Sequence, residues 1–347
     1  MVKRIYFLAV AAAALFGELS TAQTFPWPNR EFQKLAQSTM TFLNIGVGAK
    51  AMGMGGAYTC MEKDANALFW NPAGISKIDG GSVSMTHTQW IADTKQYALA
   101  LAYGFGKYGT FGLSLMAMDN GAFERTVPDP TYTRGFYSDG TFQVGQWAAG
   151  VAYGRQLTNK FSIGGQIKYA YQDLGNADFV EWSYERTNYD TLHGVKNRKG
   201  TLAMDFGTLY YTGFKDLRIG MSFRNFSAPV RYVSESFNLP IVFRVGTAMD
   251  VLKLISDADV HALQLCLEAV YPYDHAEGIQ TGGEYRFKNF LSLRAGYQSN
   301  RDLGEWSAGF GISPKAVAGL DFSIDYTVMS SENALGTIQI VSMGFAF

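Results

Sequence analysis

Charge is scarce in this sequence. Asp, Glu, Lys and Arg make up only 17% of the 347 residues, against roughly 25% in ordinary soluble domains. Proline is scarce too, at 9, and there are two cysteines, Cys60 and Cys266. Two cysteines exclude a disulfide framework; whether they pair with each other is left open by the sequence. A formal net charge of −1 leaves no basic footprint and excludes a nucleic-acid partner. The four histidines, His87, His193, His261 and His275, lack metal-ligand spacing to one another. No Gly-x-Ser-x-Gly elbow occurs. The reading is therefore non-enzymatic, with no catalytic, metal or cofactor-binding residue and no cofactor. Past the N-terminus no apolar run approaches 18 residues, so no transmembrane helix is expected in the mature chain.

The N-terminal stretch has Lys3 and Arg4, then an apolar run from Phe7 to Phe16. Ser20 and Ala22 put small residues at −3 and −1 of a cut before Gln23. This predicts a secretory signal peptide over 1–22, and with it a periplasmic or outer-membrane destination.

What the sequence does have is aromatics and glycine: 20 Tyr, 25 Phe and 38 Gly. From residue 82 onward, short runs alternate at period two. In "KFSIGGQIKYAY", Phe161, Ile163, Ile167, Tyr169 and Tyr171 share one face, and Ser162, Gly164, Gln166 and Lys168 the other. A strand does this, with one apolar and one polar face. The alternation predicts about fourteen strands, at 82–89, 96–106, 109–119, 143–155, 160–172, 200–211, 216–226, 240–250, 260–271, 278–287, 290–298, 304–312, 318–328 and 336–347. Most have the roughly 9–11 residues that a tilted strand needs to cross a bilayer. Short connections, such as Lys107-Tyr108 and Lys288-Asn289, alternate with long ones at 120–142, 173–199 and 227–239, as periplasmic turns alternate with outer loops in a membrane barrel.

Charges fall on the non-apolar parity: Lys168, Asp205, Arg218, Arg224, Arg244, Glu268, Glu284, Arg286, Arg294, Asp321 and Asp325. A polar lumen and a lipid-facing exterior predict that split. Six basic and five acidic positions favour ion pairs within the lumen over a pore selective for one sign. The expected fold is all-β: a 14-stranded antiparallel transmembrane barrel over 82–347, in the outer membrane of a Gram-negative-type bacterium, with outer-membrane lipid around it. The closing run "IQIVSMGFAF" is read as the last strand, with Val341, Met343, Phe345 and Phe347 facing lipid.

Residues 23–81 lack alternation and are rich in Gly, Ala and Met. Asp64 is placed to cap a short helix over Ala65–Phe69, and Asn71-Pro72 breaks it. This segment is read as a plug, or hatch, inside the lumen, against Ala98, Ala100, Ala102 and Gly104 of the second strand. In the long connections, Phe123, Tyr132, Phe136, Tyr137, Phe179, Trp182, Tyr184 and Tyr189 are candidate loop contacts, and they suit a partner interface or an aromatic girdle equally well.

The run "FLNIGVGAKAMGMGGAYTCMEKDANALFWNPAGIS", residues 42–76, resembles the PorV/PorQ family, a branch of the FadL-like outer-membrane barrels. The resemblance implies a plug motif at Asn71, Pro72, Ala73 and Gly74 ahead of a fourteen-stranded barrel. It also implies a C-terminal signal, Phe345 and Phe347, read by the barrel-assembly machinery. Two functions are implied. One is a non-enzymatic part in type IX-like secretion or surface attachment, with a translocon and cargo C-terminal domains as partners. The other is FadL-like passive transport of hydrophobic small molecules such as long-chain fatty acids.

Overall fold

The computed structural model describes residues 37–61, 63–128, 131–182, 189–232, 235–255, 260–300, 303–314, 321–331 and 336–347. The expected signal peptide and the plug's first part, 23–36, lie outside the described residues. The strands are β1 (Gly80–Gln89), β2 (Lys95–Gly104), β3 (Thr110–Pro128), β4 (Phe136–Thr158), β5 (Phe161–Trp182), β6 (Tyr189–Tyr211), β7 (Arg218–Ser227), β8 (Val230–Tyr232), β9 (Glu235–Phe237), β10 (Val242–Asp250), β11 (His261–Pro272), β12 (Gly278–Phe287), β13 (Leu291–Gln298), β14 (Leu303–Ile312), β15 (Asp321–Ser331) and β16 (Ile338–Ala346). All but β8 and β9 form one closed antiparallel barrel; those two make a separate small hairpin.

Closure follows from pairing β1 with β16, from Ser82 opposite Ala346 to Gln89 opposite Gln339. Two further backbone bonds join Gly81 and Phe347, at 2.7 and 3.0 Å. A closed barrel leaves no edge strand, and within a bilayer every backbone polar group must find a partner in the protein. No helix among the described residues is long and apolar enough to cross a membrane; the crossing elements are strands. The rim carrying Gly80 and Phe347 is called the lower rim here, and the opposite one the upper rim.

Face chemistry follows the alternation. On β2, Ala98, Ala100 and Ala102 are buried in the lumen while Tyr97 and Tyr103 are exposed on the outside. On β6, Ala203 and Asp205 point in, and Leu202, Met204 and Phe206 point out. Small inward residues on β2 leave room for the plug, and large outward ones meet lipid.

The structure corrects the expected loops at 120–142 and 173–199. These are mostly strand: β3 and β4 stay paired up to Pro128 opposite Phe136, and β5 and β6 up to Trp182 opposite Tyr189. Pairing between β4 and β5 starts only at Gly145 opposite Asp173, so the upper parts are two separate ribbons. Most residues of the β3–β4 ribbon are exposed on both faces. With neither face buried, no apolar alternation marks the strands, and the sequence reads as loop. Register shifts between Asp119 and Ala122 and between Asp173 and Asn176 blur the period further. The long connection at 227–239 also contains the small hairpin.

Candidate functional site: the plug and its seats in the wall

Residues 37–79 bond to strands on all sides of the closed barrel, which is possible only from within it. The segment enters at the upper rim, where Ser38 bridges Asn238 and the Thr39 N–H donates to the Asn238 carbonyl at 2.9 Å. There the hydroxyls of Thr39 and Tyr232 and the Gln172 carboxamide lie within 3.1 Å of one another. Met40, Phe42 and Leu43 follow and are fully buried. A short helix, α1 (Ala49–Gly53), comes next. Its first residue is held at both backbone groups. The Ala49 N–H donates to Ser342 Oγ at 2.8 Å, and Thr327 Oγ1 donates to the Ala49 carbonyl at 2.6 Å.

The wall carries two glycine seats for the plug. In the first, Gly154, Gly164 and Gly207 lie side by side on β4, β5 and β6. A β-carbon at Gly164 would collide with the backbone of Pro72 and Ala73, and one at Gly207 with the Asn71 carboxamide. In the second, Gly282 and Gly296 are paired on β12 and β13. A β-carbon there would collide with the Met54 carbonyl or the Gly55 N–H. At Gly164, Gly282 and Gly296 glycine is required because backbone meets backbone.

Asn71, fully buried, joins the first seat. Its Oδ1 accepts the Ala73 N–H at 3.0 Å, capping a 3-10 turn over Pro72–Lys77 with Pro72 in its first turn. Its Nδ2 donates to the Thr59 carbonyl at 2.8 Å and to the Thr208 carbonyl of β6 at 3.0 Å. Every polar atom of the side chain is used, which explains why Asn, with two donors and an acceptor, suits this position. Gly74 is tight against Ala67 and the Met61 carbonyl. Asp64 caps the 3-10 turn over Ala65–Phe69 by accepting the Asn66 N–H at 2.9 Å. It also accepts from the Tyr58 hydroxyl at 2.6 Å. Burial, and then the Asp64 carboxylate, hold that hydroxyl well above the ordinary phenol range, so it remains a donor.

The lumen charges form clusters around the plug. Lys168 pairs with Asp205 at 2.8 Å and donates to Asn225 Oδ1 at 2.6 Å. Asn225, at φ 63°, sits in a bulge of β7 and donates its N–H to Asp205 Oδ1. Arg244 pairs with Glu268 at 2.8 Å, and Glu268 in turn accepts the Thr59 N–H at 3.0 Å. The Arg244 guanidinium also lies 5.0 Å from the Trp70 ring centre. Arg294 bridges Glu284 and Asp325, both at 2.6 Å, and Arg286 lies 3.2 Å from Glu284. Arg224 reaches the Leu43 carbonyl at 3.4 Å. Arg218 is buried near the two cysteines. Asp321 stands exposed at the lower rim.

Cys60 and Cys266 are both free and buried. Burial, and then Glu268, push the Cys60 thiol up, which leaves it protonated and unreactive.

A cavity of about 460 Å³ lies between the plug and the wall of β1, β12, β13, β15 and β16. Lys50, Lys63, Glu284, Arg294, Asp325 and Ser342 are among its lining residues. It reaches the lower rim at Asn289 and Ser313 and stops under α1. The plug's two halves therefore differ. One is packed into the β4–β6 wall, and the other borders open polar space.

Of the candidate loop contacts, Phe123, Phe136 and Tyr137 are exposed on the β3–β4 ribbon and Tyr132 in its turn. Phe123 stacks on Phe142 at 5.6 Å. The side chains of Phe179, Trp182 and Tyr189, and Tyr184 altogether, lie outside the described residues. Phe345 lies on β16, and the exposed Phe347 sets its ring over Gly81. The glycine seats and the serine and threonine hydroxyls that hold α1 are absent from the candidates drawn from the sequence. Glycine on the lumen parity of adjacent strands was the available signal.

Three solved structures share this fold. They are the toluene transporter TodX of P. putida (13% identity, TM-score 0.58, covering 87% of this chain and 99% of that one), the Ralstonia pickettii toluene transporter TbuX (12%, 0.56, 87% and 97%), and a Pseudomonas aeruginosa FadL homologue (12%, 0.53, 87% and 98%). At such identities the likeness is one of fold. No curated protein matches the chain. The profile of an uncharacterised protein family, UPF0164, matches residues 16–239, through the plug and the strands up to β9, and the chain belongs to that family.

Proposed function

We propose that the protein is a passive outer-membrane transporter of hydrophobic small molecules, with the plug as its gate. One observation carries this reading. The lumen is closed by a segment held through side-chain-to-backbone hydrogen bonds, inside a fold shared with a toluene transporter. Such bonds contribute only about 0.5–1.5 kcal/mol each, so the segment can shift without unfolding the wall. In this reading the barrel sits in the outer membrane with its lower rim toward the periplasm. The cavity under α1 is the lower part of the path, and Met40, Phe42 and Leu43 block the upper part. Pro72 and Ala73 stay in their seat while residues 38–53 move.

The test is uptake. The full chain is expressed in a bacterial host lacking its own transporter for such compounds, and entry of a radiolabelled long-chain fatty acid and of toluene is followed. Saturable uptake above the vector control is expected, faster still in Ser342→Ala. A folded barrel in the outer membrane with no uptake of either compound sinks the proposal.

A second reading, a non-enzymatic part in type IX-like secretion or surface attachment, is favoured by the exposed aromatics of the β3–β4 ribbon, Phe123, Tyr132 and Phe136. Affinity purification in mild detergent from the native membrane separates the two. A very large translocon subunit or exported proteins sharing a C-terminal domain support secretion, and a lone barrel carrying lipid supports transport.

A further inference from the structure

The two rims of the barrel differ in charge. Six lower connections are described wholly or in part, and five of them contain one described lysine close to the strand end: Lys107, Lys160, Lys215, Lys253 and Lys288. In each case a large exposed apolar side chain stands within three residues. Tyr108 is 65% exposed beside Lys107, and Phe214 is 59% exposed beside Lys215. Leu157 precedes Lys160, Leu254 follows Lys253, and Phe290 follows Lys288, all of them exposed. The Lys107 ammonium lies 5.2 Å from the Tyr108 ring centre, and that of Lys288 lies 5.3 Å from Phe287. Lys107, Lys160, Lys215 and Lys288 are exposed, and Lys253 keeps 42% of its side chain exposed beside Asp216, 3.7 Å away.

The upper connections are different. Among their described residues there is no lysine, and Asp93, Glu235, Asp274 and Glu277 stand there with Arg134 and Arg231. Lys95 opens β2 at that rim, but it pairs in register with Asp119. On the lower rim Lys77 and Arg155 add to the positive charge, and Asp79, Asp216 and Asp321 are acids described beside them.

A lysine beside a large apolar side chain, repeated around one rim of a membrane barrel, suits the boundary between acyl chains and headgroups. The apolar group enters the acyl region, and the long lysine stem lifts its ammonium to the phosphates. We propose that the lower rim is a binding surface for anionic phospholipids of the leaflet it meets. The partner follows from charge complementarity: five ammonium groups on one rim attract a negatively charged leaflet, and apolar neighbours anchor that rim in it. The proposal rests on the barrel fold and not on what the barrel transports.

The test uses the purified full chain in nanodiscs of equal phosphatidylglycerol and phosphatidylcholine, followed by native mass spectrometry of the lipids retained. At low salt the retained phosphatidylglycerol should exceed phosphatidylcholine by about fivefold, the worth of one lysine near an anionic surface. Replacing all five lysines (Lys107→Gln, Lys160→Gln, Lys215→Gln, Lys253→Gln and Lys288→Gln) should bring the ratio near one. Arg134→Gln on the upper rim should leave it unchanged. Barrel integrity is checked separately, by the shift in gel mobility on heating. Equal retention by the native chain, or a ratio that survives the fivefold variant, overturns the proposal. So does full competition by soluble glycerophosphoglycerol, which would make the rim a site for free phosphate and not for a leaflet.

Discussion

The two glycine seats hold the same plug by different means. At Gly154, Gly164 and Gly207 the plug presents a proline and a capped turn, and Asn71 ties three backbone groups together. At Gly282 and Gly296 it presents bare backbone at Met54 and Gly55. The second seat lies two residues along β12 and β13 from Glu284 and Arg294, which pair with each other and, with Asp325, line the 460 Å³ cavity. The first seat is a jigsaw fit with no space to yield. The second is a close approach that follows directly on α1, whose Lys50 lines the cavity. In the proposed gating, the first seat is the fixed end and the segment through α1 is the one that moves.

The comparison can be broken most severely at the second seat. Arg294→Leu leaves Glu284 and Asp325 buried without their cation and should cost about 4 kcal/mol of stability in guanidinium unfolding from lipid vesicles. A loss under about 1 kcal/mol would mean that water already screens the cluster. Gly164→Val forces a side chain into the Pro72–Ala73 backbone and should cost about 3 kcal/mol. Limited proteolysis should then cut between residues 37 and 79 while the strands resist. Asn71→Ala removes the cap and two donors and should cost about 2 kcal/mol, again with new plug cleavage. Ser342→Ala and Thr327→Ala should each cost only about 1 kcal/mol, yet raise probe uptake more than either first-seat variant does. If the first-seat variants open the pore more, the fixed and mobile ends have been assigned the wrong way round.

Much of the barrel was legible in the sequence because a bilayer imposes strict alternation. Leu202, Met204 and Phe206 against Ala203 and Asp205 leave a single choice of face, and all fourteen predicted runs overlap strands of the barrel. The ribbons above the wall were not legible, since Phe123 and Phe142 lie where both faces are wet and no period is enforced. Asp64 was readable as a local cap because capping is a short-range matter, whereas Asn71 was read as a helix break and its capping of the next turn came only with the structure. The partners of Asn71 at Thr59 and Thr208 were not readable, because they depend on how strands distant in sequence line up. The glycine seats were hidden for the same reason. Gly154, Gly164 and Gly207 form a row only after three strands have been set in register.

The pairing of β1 with β16 also bears on assembly. Ser82 and Ala346 are neighbours in space and almost the whole barrel apart along the chain, so their meeting closes the longest loop between paired strands. The plug precedes β1, and its contacts reach strands from β1 to β16. Once the seam is zipped, the only ways in are through the two mouths. An order in which the sheet curls around the plug and seals last avoids threading some forty residues through a finished pore. The seam between Gly81 and Phe347 is then the clasp that holds the plug inside the barrel.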